Sequence, residues 1–253
     1  FVLGFVGHSQ WRKQTWNLFK LTRYLRSGAF SVCTHCDRVT LAEWDDIAGK
    51  PGGIPVFCRH CGDGCRHPGP QDVALWYHTF NRATSDYHPE LLKAIWGVQD
   101  CVIFTSKMED ASGAPDKDMP ELYKYFDAYV SLSGGEGFCI PIVEAMATGL
   151  PVVYTNYSGQ AEVAAHGGLP VRCHELQPNT GMPINRAIAD VADALRQVLR
   201  LIEDKALYQK LSSSGVTAAR EIFSWDVIAN QWNTVLHNVS KTRTIRTIGQ
   251  PAS

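Results

Sequence analysis

The sequence predicts an α/β fold: a Rossmann-like open parallel sheet with helices on both faces, interrupted by a small zinc-ribbon-like insertion. Three observations predict it. Six short apolar runs alternate with stretches that read as helices. One of those runs, Ala128 to Leu132, enters a glycine-rich turn that opens a helix. Two Cys-x-x-Cys pairs, Cys33/Cys36 and Cys58/Cys61, stand 21 residues apart in a loop-rich segment.

Phe1 to Gly7 is apolar and reads as the first buried strand. A polar turn with His8, Arg12 and Lys13 follows. Thr15 to Ser27 places Leu18, Leu21, Thr22 and Leu25 on one helical face, and Gly28 is a stop signal. Ligands of α/β sheets collect at the carboxyl ends of strands, so Arg12 and Lys13 stand where a basic pair neutralises a diphosphate. Two solvated surface cations are the alternative. Val73 to Phe80 and Cys101 to Thr105 read as strands, with a helix from Pro89 to Trp96 between them. Lys107 to Lys117 is polar, with Gly and Pro, and reads as a loop. Pro120 to Phe126 is a short helix, and Asp127 after it reads as a structural residue.

Past the glycine-rich turn, Val152 to Tyr154 and Gly168 to Arg172 are the last strands, and His174 to Pro183 is a loop. Ile184, Ile188, Val191, Ala192, Leu195, Val198, Leu199 and Ile202 recur at helical spacing, a core-facing stripe. Further helices run from Lys205 to Phe223 and from Trp225 through Trp232 to Leu236. The tail from Lys241 is polar and is expected to be disordered. The domain reading is therefore a Rossmann-like domain over 1–240, interrupted by a cysteine-rich insertion over 31–68, with a disordered tail over 241–253.

Composition narrows the function. The chain has 253 residues, enough for a sizeable core, and 45% of them are hydrophobic. The net charge of −1 predicts no broad attraction to nucleic acid or to a membrane. No apolar run reaches the ~18 residues of a membrane span, and no signal peptide is visible. The expected location is the cytoplasm or the periphery of a membrane.

Five of the eight cysteines cluster between Cys33 and Cys65. Two knuckles and three scattered thiols suit a reducing compartment and a metal better than a disulfide framework. Cys33, Cys36, Cys58 and Cys61 read as a four-thiolate zinc site, structural because four protein ligands leave no open position. Gly62 eases the second knuckle's turn. Cys65, His35, His60 and His67 are rival ligands, and disulfides or unliganded thiols are the alternatives.

The turn carries the chemistry. It runs from Ser133 through Gly134, Gly135, Glu136 and Gly137 to Phe138, Cys139 and Ile140. Pro141 suits a first helical turn, and Gly149 and Pro151 stop that helix after about two turns. A glycine-rich turn at a helix N-terminus favours an anion. Glu136 and Glu144, with seven residues between them, would repel phosphate but accept hydrogen bonds from sugar hydroxyls. Together they describe a sugar nucleotide. An ordinary loop before a surface helix is the alternative.

The run from Glu136 to Val153 resembles the signature of the family-four retaining glycosyltransferases of the two-Rossmann-domain GT-B fold, E-G-F-G-x-P-x-x-E-A-M-A-x-G-x-P-V-V. Cys139 replaces the signature's glycine. The resemblance implies that Glu136 lies by the donor sugar and that Glu144 binds the nucleotide ribose. It places Gly7, Arg12 and Lys13 on the donor diphosphate, with His8 where an arginine is common. The turn residues Gly137, Phe138, Cys139 and Ile140 complete the donor site. Tyr157 to Val163 resembles the family's loop near base and ribose.

The resemblance covers nearly the whole chain outside the cysteine insertion, and matches one half of a GT-B fold, the donor-binding domain. It implies a nucleoside-diphosphate sugar of UDP or GDP type, transfer with retention, and no catalytic metal. It also implies an acceptor (glycan, lipid or small molecule) held by an N-terminal domain or a separate chain. The last helix is then expected to turn an apolar face toward that domain. A start at Phe1 leads us to expect further chain upstream. The rival readings are a non-catalytic zinc-ribbon and Rossmann binding module, and a phosphorylase, whose cofactor-bound lysine is not recognisable here. Arg38, Lys50, Arg59 and Arg66 in the insertion are offset by Asp37, Glu43, Asp45, Asp46 and Asp63, which disfavours nucleic acid.

Overall fold

β1 (Val2–Val6) sends Leu3 and Phe5 into one apolar cluster and Val6 into another, so it is buried from both sides. Such a strand belongs in the middle of a parallel sheet. The computed structural model describes residues 1–7, 10–45, 50–79, 88–105, 115–178 and 183–242. After β1 the chain forms a single 3₁₀ turn, Trp11–Lys13, and then α1 (Thr15–Ser27). Gly28, at φ 66°, closes α1 with its N–H on Tyr24 O at 3.0 Å.

The insertion follows as short antiparallel pieces: β2 (Phe30–Cys33), β3 (Val39–Leu41), β4 (Trp44–Asp45), β5 (Lys50–Pro51) and β6 (Cys65–Arg66). The chain then returns through β7 (Ala74–His78), α2 (Pro89–Trp96), β8 (Val102–Phe104), α3 (Met119–Tyr123), β9 (Ala128–Ser131), α4 (Ile140–Ala147) and β10 (Val152–Thr155). α5 (Gly159–Ala164), β11 (Gly168–Val171), β12 (Cys173–Pro178), β13 (Asn185–Ala189), α6 (Val191–Glu203), α7 (Lys205–Glu221) and α8 (Trp225–Thr242) complete it.

The main sheet has six strands, all parallel, in the order β11-β10-β9-β1-β7-β8. Its six members are the six apolar runs of the sequence. The order winds outward from β1 in one direction through β7 and β8, then from β9 in the other. The reversal lies between β1 and β9, and in open α/β sheets the ligand crevice opens there. α1, α2 and α6 pack on one face, around Leu18, Phe19, Leu21, Leu92, Leu195 and Val198. α3, α4, α5 and α7 cover the other, around Tyr123, Ile142, Met146, Val163 and Ala219.

Asp127 is structural, as expected: its Oδ2 accepts the Val2 N–H at 2.6 Å and pins the start of β1 beside β9. The insertion is clamped against α1 and α6. Arg66 makes a two-pronged contact with Glu203 at 2.8 and 2.7 Å, and Tyr24 donates to Ala42 O at 3.0 Å.

Four expectations change. The stripe beginning at Ile184 is a strand before it is a helix: β13 buries Ala187 and Ala189, pairs antiparallel with β12, and leaves Ile184 exposed. The period of two within it was masked by isoleucines that also fit a helical spacing. The helix starts only at Val191, where the Asp190 carboxylate caps it by accepting the Asp193 N–H at 3.1 Å. The same pairing turns the first half of the expected 174–183 loop into β12, with 179–182 outside the described residues. α8 runs on to Thr242, past the expected start of the tail, and 243–253 lie outside the described residues. α3 is shorter than expected, ending at Tyr123, with Phe126 packed in the turn after it. Phe80 and 106–114, from the expected strand end and loop, also lie outside the described residues.

Candidate functional site

Arg12 and Lys13 leave β1 in the 3₁₀ turn, and Glu136 leaves β9 in the glycine-rich turn. The reversal of strand order brings them together. Lys13 Nζ lies 2.7 Å from Glu136 Oε1, and Arg12 Nη1 pairs with Oε2. Ser133 Oγ donates to Glu136 Oε1 at 2.8 Å. The Glu136 and Lys13 side chains are only 9% and 10% exposed, while Arg12 is 34% exposed and reaches the surface. Burial pushes the Glu136 carboxyl up, but Lys13, Ser133 and Arg12 outweigh it and hold the group below its ordinary value. Two cations against one carboxylate leave the cluster with a surplus positive charge.

The turn is held from behind by close backbone packing. Gly134 N–H donates to Arg12 O at 2.6 Å, joining the two loops directly. A Cβ at Gly134 would lie 2.5 Å from Gln14 Nε2 and 2.6 Å from Ala187 O, so only glycine fits. Gln14 is buried, donates to Ala187 O, and accepts from Ala189 N–H and Asn17 Nδ2, each at 3.1 Å. The β12–β13 hairpin thus backs the site. Arg186, on β13, donates to Gly135 O at 3.2 Å and adds a third cation beside the turn.

The other side of the turn is anchored to the start of α5. Glu136 N–H donates to Ser158 Oγ at 2.9 Å, and Ser158 Oγ donates to Glu136 O at 3.1 Å. Gln160, fully buried, donates to Ser133 O at 2.8 Å. A Cβ on Gly159 would fall 1.8 Å from Gly137 O, which fixes glycine there. By contrast, a Cβ on Gly137 would meet nothing within 4 Å, so the turn is open on that side. Phe138 and Ile140 are exposed at 44% and 59%.

Cys139, at φ 71°, is the N-cap of α4, with its side chain buried; it takes a left-handed conformation that the signature's glycine reaches more cheaply. Glu144, one turn into α4, is half-buried, and its Oε2 accepts the phenol of the buried Tyr123 at 2.7 Å. Burial and Glu144 raise the Tyr123 pKa far above the ordinary phenol value, so the hydroxyl stays a donor.

The structure therefore brings Arg12, Lys13 and Glu136 into direct contact. Gly7, whose N–H donates to His78 O at 3.0 Å, closes the end of β1 beside Lys13: a Cβ on it would lie 3.8 Å from Lys13 Nζ. Glu144 makes none of the contacts described for Glu136. His8 lies outside the described residues. Gln14, Tyr123, Ser133, Ser158 and Arg186 were not singled out for this site. Ser133 and Ser158 sit inside or beside recognised motifs, but Arg186 carried no local signal. His78, at the end of β7, sits 2.8 Å from Thr105 Oγ1 through Nδ1, and burial lowers its pKa. A cavity of about 800 Å³ lies among Arg23, Arg26, Trp96 and Asp100, near the opposite end of α1, and neither glutamate lines it.

A Rossmann-like sheet with this turn at its switch point places the turn where open α/β sheets form their ligand crevice. The profile of the glycosyl transferases group 1 family matches residues 89–216, and the chain belongs to that family. O-antigen chain mannosyltransferase B of Escherichia coli is 32% identical over 117 residues, 46% of this chain and 26% of that protein. N-acetyl-alpha-D-glucosaminyl L-malate synthase of Bacillus anthracis is 28% identical over 142 residues, 56% of this chain and 32% of that protein. Among solved structures, sucrose-phosphate synthase from Thermosynechococcus elongatus superposes with a TM-score of 0.62 at 16% identity, over 96% of this chain and 46% of that one. The Anabaena protein HepE, solved with UDP-glucose, gives 0.61 at 19% identity, over 94% and 49%. These likenesses show the fold, and this chain spans about half the length of those structures. Among the described residues no helix is long and apolar enough to cross a membrane.

Proposed function

We propose that this chain is the donor-binding half of a retaining glycosyltransferase. The observation that carries the reading is the contact of Arg12 and Lys13 with Glu136 across the strand-order reversal. It supports a site with phosphate-binding cations and a hydroxyl acceptor within one side chain's reach.

In this reading the donor is a nucleoside-diphosphate sugar of UDP or GDP type. Its diphosphate lies on Arg12, Lys13 and the turn from Gly137 to Ile140, with Gly7, which lacks a Cβ, leaving it room beside Lys13. Glu136 accepts from the sugar hydroxyls, and Glu144, aimed by Tyr123, accepts from the ribose. As the bond from the anomeric carbon to the diphosphate breaks, negative charge builds on the leaving oxygen. Arg12, Lys13 and the N-terminus of α4, which has no side-chain cap, meet that charge. Residues of the chain supply this stabilisation, so the reading assigns no metal to the chemistry and leaves any ion on the cysteine quartet a structural role.

The acceptor is held by a second domain or chain outside these 253 residues. α8 offers an apolar face toward it, with Trp225 83%, Trp232 61% and Leu236 59% exposed. The expected location is the cytoplasm or a membrane periphery. Titration calorimetry with UDP-, GDP- and ADP-sugars tests the reading. One nucleotide class is expected to bind at one site per chain, and Lys13→Ala to weaken it. No binding by any of the three classes would overturn it.

A further inference from the structure

We propose that Cys33, Cys36, Cys58 and Cys61 bind one Zn²⁺ tetrahedrally, and that this ion holds the inserted ribbon in its fold. The site is separate from the transfer chemistry and does not depend on it.

All four Sγ atoms lie within 4.8 Å of one another. Cys33 and Cys61 are 3.4 Å apart, Cys36 and Cys58 3.6 Å, and Cys36 and Cys61 3.7 Å. A tetrahedron with Zn–S bonds of about 2.3 Å has sulfur–sulfur edges of about 3.8 Å. A disulfide needs about 2.05 Å. The quartet therefore has the spacing of ligands that share one ion.

The two knuckles also repeat each other's geometry. Cys33 Sγ accepts the amide N–H of His35 at 3.4 Å and of Cys36 at 3.3 Å. Cys58 Sγ likewise accepts the amide N–H of His60 at 3.4 Å. The residue directly after each second cysteine is left-handed, Asp37 at φ 55° and Gly62 at φ 81°.

The surroundings select the ion and its role. Four sulfur ligands in a tetrahedron suit zinc, with iron as the chemical competitor. Cys65 stands outside the quartet, paired across β2 and β6 with Cys33. The ribbon has little core of its own: Ile54, Val56 and Phe57 are 39%, 58% and 66% exposed. A module of this size needs a staple. Its polar attachments to the body include Arg66 to Glu203 and Asp37 to Arg196 on α6 and Ala42 O to Tyr24 on α1, none of them on a strand of the six-stranded sheet.

Elemental analysis of the whole chain purified under reducing conditions tests the proposal. About one zinc per chain is expected. Cys36→Ser and Cys61→Ser are expected to lose it, and Cys65→Ser to keep it. Hydrogen exchange of wild-type protein after chelation is expected to show lost protection for the amides of the ribbon, while β1, β9 and β10 stay protected. This comparison needs no variant to fold. One equivalent of iron would overturn the zinc assignment. A Cys33–Cys61 or Cys36–Cys58 disulfide in that protein, or a metal-free chain with the ribbon amides still protected, would overturn the site.

Discussion

Lys13 Nζ lies 2.7 Å from Glu136 Oε1, so the residue that follows the first strand of the sheet neutralises the first glutamate of the signature. The ammonium is one of two cations that the proposed donor diphosphate would use. Lys13→Ala is therefore expected to weaken nucleotide-sugar binding by about 1–3 kcal/mol, the scale of a charge-assisted hydrogen bond lost at a partly buried site. Calorimetry on the variant checks it. An unchanged affinity would place the phosphate elsewhere.

The same contact predicts opposite signs for two ligands of a Glu136→Gln variant. The carboxylate occupies Arg12 and Lys13 before any donor arrives. Removing its charge frees both cations, so a bare nucleoside diphosphate is expected to bind a few-fold more tightly. The full donor is expected to bind more weakly, because the sugar loses an acceptor. Competition titrations with the two ligands separate the effects. Weakening of both by the same factor would show that Glu136 serves the fold of the turn alone.

Stability should follow the ionisation of Glu136. Its folded pKa is held below the ordinary value. A group shifted this way stabilises the fold above its unfolded pKa, about 4.3 for glutamate, and loses that contribution as pH falls through the folded value. The difference in thermal midpoint between wild type and Glu136→Gln is therefore expected to be flat between about pH 6 and 8 and to shrink below about pH 4. A difference that grows in acid would mean that the carboxyl is protonated in the fold.

Tyr123 is a positioning residue in the proposed ribose site. Its hydroxyl donates to Glu144 Oε2 at 2.7 Å from a buried ring. Tyr123→Phe keeps the ring packing and removes the donor. Binding of nucleoside diphosphate and of the full donor is expected to fall by the same factor, about 1 kcal/mol, since ribose is common to both. A loss of thermal stability with no change in either affinity would assign Tyr123 to the core alone.

The sequence by itself determined the strands of the sheet. Leu3, Phe5, Leu75, Val130 and Val153 lie in short apolar runs, and such runs are buried wherever they fall in a parallel sheet. It also determined α1 and α2, closed by Gly28 and Gly97, because a left-handed cap is a local requirement that glycine meets at little cost. The spacing of Glu136 and Glu144 and of the four knuckle cysteines was legible for the same reason: each motif lies within a few turns of chain. The tertiary structure alone decided which of these motifs meet. Gln14 reaches Ala187 across 173 residues, and Arg186 reaches Gly135 across 51. No periodicity encodes such contacts; they follow from the strand order, which sets β9 against β1 and returns β13 behind the turn. That order also puts Glu136 on Arg12 and Lys13, because backbones packed as closely as Gly134 on Arg12 O leave the side chains after β1 and β9 one shared place to go.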